Sequence, residues 1–80
     1  MSVIDEWIKN KMLETMNSKG RVFWGKVNGE FAVKRKILDT RLTFGGAIQL
    51  TLNSPLPGKM SRLFTVDSGP ILNEFVIVEK

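Results

Sequence analysis

The chain contains no cysteine and no histidine. Without cysteine there is neither a disulfide nor a thiolate zinc site, which suits a reducing compartment. Without histidine the commonest metal ligand and general base is missing as well. Ser61 and Ser68 therefore have no imidazole to activate them, and no thiol nucleophile exists. The glycines fit neither a Walker loop nor a dinucleotide fingerprint, because Gly25, Gly29, Gly45 and Gly46 are spaced as turns and strand bends. No apolar run approaches the roughly 20 residues that span a bilayer. Asp5 and Glu6 stand where a signal peptide would carry positive charge. Together these absences lead us to expect a cytoplasmic, non-enzymatic protein with no metal, no cofactor and no membrane partner.

What is present is ordinary for a globular chain: 42% apolar and 25% charged residues among 80, which argues against disorder. Residues 1–80 are expected to form one domain. A chain this short buries only about 60–65% of its unfolded surface, so its stability is marginal or shared. A homodimer would supply the missing burial.

The charge is unevenly placed. Six cations (Arg21, Lys26, Lys34, Arg35, Lys36, Arg41) fall between positions 21 and 41 against two acids, Glu30 and Asp39. Elsewhere six basic residues balance six acidic ones, so the net +4 is a local property. A local basic surface is the usual electrostatic sign of a polyanionic partner.

The pattern divides into a helix and then strands. Ser2 is a capping hydroxyl, and Asp5 and Glu6 suit the first turn of a helix over about 2–17. At 100° per residue Ile4, Trp7, Ile8, Met12 and Met16 share one face; Lys11 and Thr15 intrude on it and Leu13 points away. Asn17-Ser18-Lys19-Gly20 ends the helix, with Gly20 as a left-handed cap. From Arg21 the period becomes two. Arg21–Val27 and Glu30–Ile37 flank Asn28-Gly29, a strong hairpin signal. A two-residue turn pairs Val27 with Glu30, and hence Trp24 with Val33, Phe23 with Lys34 and Arg21 with Lys36. One face then carries Val22, Trp24, Phe31, Val33 and Ile37 as the core side. The other carries Arg21, Phe23, Gly25, Val27, Glu30, Ala32, Lys34 and Lys36.

Between Arg41 and Leu52 the even positions are apolar. Either a three-residue loop with a bulge or one long strand bent at Gly45-Gly46 keeps that face intact, and we favour the bent strand. Asn53–Gly58 reads as a loop. Lys59–Val66 and Ile71–Glu79 read as a final pair of strands around Asp67-Ser68-Gly69-Pro70. The last strand is apolar on both sides, which suggests a central position or a subunit contact. The expected fold class is α+β: one N-terminal helix on a curled antiparallel sheet of about five strands over 21–79, close to a small barrel or roll.

The basic hairpin is the functional candidate. Phe23 would stack a base, while Arg21, Lys34 and Lys36 contact phosphate and Lys26 and Arg41 extend the patch. That is how RNA and other single strands are held. Arg21 and Lys36 in direct register would repel each other, and a bound phosphate would relieve it. Arg35 falls on the opposite face and is less available. Two readings compete. Lysine-rich edge strands also keep sheets from pairing edge to edge, with no ligand involved. A small inhibitor or accessory subunit could use the same patch to meet an acidic protein, with the Trp7–Met12–Met16 helix as an apolar anchor. The aromatic motifs of RNA-recognition and cold-shock domains are absent; Arg21–Val27 shares only their basic-aromatic character.

Overall fold

Val3–Met16 form α1 in the computed structural model, which describes residues 3–79. Asp5 and Glu6 occupy its first turn, where carboxylates complement the helix dipole. Ser2, the expected cap, lies outside the described residues. Ile8, Met12 and Met16 pack on the core, but Ile4 and Trp7 are 69% and 43% exposed. The two polar residues that interrupt the stripe complete the docked face instead. Thr15 is buried, and its hydroxyl donates to the Lys11 carbonyl at 2.7 Å. The Lys11 ammonium donates to the carbonyls of Leu72 and Phe75 and lies 4.7 Å from the centre of the Phe75 ring. Burial holds the Lys11 pKa below the usual 10.5, with Glu14 opposing that shift and Lys26 adding to it. Leu13 is exposed, as expected.

Five strands follow: β1 Val22–Val27, β2 Glu30–Leu42, β3 Ile48–Leu52, β4 Leu63–Val66 and β5 Phe75–Val78. Their order is β4-β3-β2-β1-β5, with every neighbouring pair antiparallel. The expected α+β arrangement is therefore the observed one, and the sheet curls without closing into a barrel. Its curl brings Phe64 of β4 to 4.9 Å from Phe23 of β1 and 5.9 Å from Phe75 of β5, measured between ring centres. Around these rings sit Ile37, Ile48, Leu50, Leu52, Val66 and Leu72, all buried.

The β1–β2 turn is as expected. Asn28 and Gly29 both have positive φ, 53° and 82°, which the type I′ hairpin turn demands. Val27 pairs with Glu30 and Lys26 with Phe31. The register then slips by one. Gly25 pairs with Val33, Trp24 with Lys34, Phe23 with Arg35 and Val22 with Lys36. Ala32 is the extra residue, a β-bulge. On β1 the expected faces are consequently exchanged: Phe23 is 1% exposed and Trp24 faces outward. On β2 the bulge sends Phe31 outward while Val33 and Ile37 stay in the core.

Gly25 is fixed by the ring it lies beneath. A Cβ there would stand 2.6 Å from Cε1 of Phe23, so the ring would have to leave its place between Phe64 and Phe75. Gly25→Ala is expected to destabilise the fold by about 1–3 kcal/mol, measurable as a lower urea midpoint; an unchanged midpoint would show that the ring can move aside.

Two further expectations are corrected. β2 and β3 do not form one bent strand. Thr43 N–H donates to the Ala47 carbonyl at 2.7 Å and Gly46 N–H to the Thr43 carbonyl at 3.1 Å. Gly46 sits at φ 87°, so a three-residue loop with a glycine bulge turns the chain. Ile48, Leu50 and Leu52 are nevertheless buried on one face as the alternation required. Nor do the last two strands pair. Pro70–Asn73 form a 3₁₀ turn that carries the buried Leu72, and this turn delivers β5 to the far side of β1. β5 is thus an edge strand, not a central one.

Candidate nucleic-acid interface

The outer face of β1, β2 and β5 carries the site. Antiparallel partners point to the same side of a sheet, so Trp24 stands beside Lys34 and Val76, Lys26 beside Phe31, and Val22 beside Lys36 and Val78. Trp24 and Phe31 come from positions that straddle the turn, and they meet on a diagonal of the ladder because Phe31 pairs with Lys26, two residues beyond Trp24. Their ring centres lie 5.1 Å apart at 39°, and Phe31 is 40% exposed. Each ring has a lysine over it: Lys34 Nζ is 5.0 Å from the Trp24 ring and Lys26 Nζ 5.2 Å from the Phe31 ring. Those separations are within cation–π range, worth about 0.5–1 kcal/mol at an exposed site. α1 packs on the inner side of the sheet; on the outer side Phe31 is exposed and Trp24 half-buried.

The residues expected from the sequence are only partly brought together. Lys26, Lys34 and Lys36 share this outer face. Phe23 does not: its ring stacks on Phe75 at 5.2 Å inside the core, so its expected role as the exposed stacking residue is corrected. Trp24 and Phe31, both expected inside, take its place. Arg21 precedes β1 and does not oppose Lys36; its guanidinium meets Glu79 at 3.2 Å. Arg41 pairs with Gln49 near the far end of β2, roughly 20 Å from Lys34 at about 3.3 Å per residue. Arg35 is on the inner side, as expected. It donates from Nε and Nη2 to the Pro55 carbonyl at 3.2 and 3.0 Å, tying down the loop after β3.

Neither acid of the basic stretch neutralises the patch. Asp39 meets Lys19 at 3.8 Å, and among the described residues Glu30 makes no ion pair. The face therefore carries an exposed Phe31 ring beside a half-buried Trp24 ring, three ammonium groups with no ion pair among the described residues and a low apolar shelf of Val22, Val76 and Val78.

Comparison with protein-family models, with curated proteins and with solved structures returns no match. Function must then be argued from the site and not from kinship.

Proposed function

We propose that this is a non-enzymatic protein that binds single-stranded nucleic acid, RNA or DNA, on the outer face of β1 and β2. One observation carries it: two outward rings 5.1 Å apart, each with a lysine above it. Rings outside a core gain little from burial, whereas bases stack on them without regard to sequence. In the free protein, the ammonium groups of Lys34 and Lys26 occupy the ring faces. On binding, a base takes that place and the released ammonium moves to a neighbouring phosphate. Lys36, opposite Val22, extends the phosphate track along β2. Duplex bases are already stacked and cannot make this exchange.

Three phosphates contacted on a single strand give log K a slope near −2 against log salt, at about −0.7 per contact. Fluorescence anisotropy with a labelled 12-mer should show that slope, with a duplex of the same sequence binding weakly. Absence of binding at low salt, or binding indifferent to salt, would overturn the assignment. The Val76–Val78 shelf favours one competing reading, docking of an acidic protein segment. A 260/280 nm absorbance ratio typical of bare protein, with a single protein captured in pull-down, would decide for it. Self-association through this face is opposed by its lysines.

A further inference from the structure

We propose a second site on the opposite, inner side of the sheet: a cleft that takes a short apolar chain bearing an anionic head. It shares Lys26 with the outer face and otherwise rests on different residues. Along β1 the inward positions are Phe23, Gly25 and Val27. Gly25 contributes no side chain, and the Phe23 ring leans across it. Beyond that ring the core stops short. A cleft of about 230 Å³ remains between the β1–β2 hairpin, the loop after β3 and the 3₁₀ turn. The edge-to-face rings of Phe23 and Phe64 line it together with Leu56 and Ile71. The open mouth of a curled sheet is a usual place for a small ligand. An apolar cavity of about 150 Å³ accommodates benzene, so this one admits a chain of about six to eight carbons.

The rim sets the polarity of the ligand. Lys26, Lys59 and Glu74 border the cleft. Among the described residues Lys59 and Glu74 make no ion pair, and the Lys26 ammonium rests over the Phe31 ring. Lys59, joined by Lys26 once its ammonium leaves that ring, outweighs the one carboxylate, which complements a carboxylate or phosphate head and disfavours an amine. Glu74 repels the same head, so its charge works against the ligand.

Octanoate is the probe, with octylamine as its cationic counterpart, read by amide chemical shifts on the full chain. Octanoate is expected to move the amides of Phe23, Gly25, Phe64 and Ile71 with a Kd on the order of 1 mM, as its ten heavy atoms allow. Lys59→Gln should weaken it about two- to fivefold and Glu74→Gln should tighten it by a similar factor. Leu56→Trp should fill the cleft and abolish binding. Should that variant fail to fold, the opposed effects of the two rim variants still decide. Equal response to octylamine, shifts at Trp24 and Lys34 instead, or no shifts up to about 10 mM would each overturn the site. Oligonucleotide titrations leave this outcome untouched, so the two sites fail separately.

Discussion

Trp24→Leu is expected to weaken single-strand binding by about 10- to 100-fold while the protein stays folded. Leucine keeps apolar contact with Val76 across the β1–β5 pair but offers no π face. A base stacked on an aromatic side chain is worth about 1–3 kcal/mol by truncation, and about 1.4 kcal/mol is tenfold in Kd. Trp7 would confuse the fluorescence, so the titration is best followed in a Trp7→Phe background, where quenching reports position 24 alone. Anisotropy with the same 12-mer gives the affinity. An unchanged Kd with normal circular dichroism would remove the ring from the interface, leaving Lys26, Lys34 and Lys36 as a plain electrostatic surface.

Its neighbour in sequence should behave in the opposite way. Phe23→Ala is expected to cost about 3–5 kcal/mol of stability, the range for emptying a buried phenylalanine site. Phe23 is 1% exposed and touches both Phe64 and Phe75, so truncation opens the centre of the core. Eighty residues at about 0.05–0.15 kcal/mol each give about 4–12 kcal/mol in all, so the loss is at least a quarter of the total. The thermal midpoint should fall by more than about 12 °C. A variant that melts normally yet loses nucleic acid would place the ring outside the core after all. Two adjacent aromatics thus separate cleanly, one through a binding curve and the other through a melting curve.

Strand periodicity alone assigns those two outcomes the wrong way round, and the reason is physical. β1 reads Val-Phe-Trp-Gly-Lys-Val, with large apolar groups at both parities, so alternation does not choose a face. Counting back from the Asn28-Gly29 turn does choose one, and that count is valid only to the first bulge. Phe31 and Val33 share a parity yet face opposite ways because Ala32 is inserted between them. Nothing about an alanine announces this. Gly25 did hold a usable signal. A glycine amid bulky residues marks close approach of a neighbour, and that neighbour is the Phe23 ring on its own face.

Elsewhere local chemistry was strong enough to read. The Asn28-Gly29 turn, the burial of Ile48, Leu50 and Leu52, and the helix over 3–16 each follow from residues a few positions apart. What failed depends on distant parts of the chain. Pro70 begins a 3₁₀ turn in place of a strand, and only the position of β1 determines where β5 lands. Thr15 and Lys11 look like flaws in an apolar stripe until Leu72 and Phe75 are present to receive the lysine.

That last contact orders events during synthesis. α1 is made before every strand, yet the carbonyls that hold Lys11 lie 61 and 64 residues downstream. The Met16 end can dock earlier, because its carbonyl accepts from the Thr40 hydroxyl of β2 at 3.0 Å, whereas the Lys11 anchor closes only once β5 has been made.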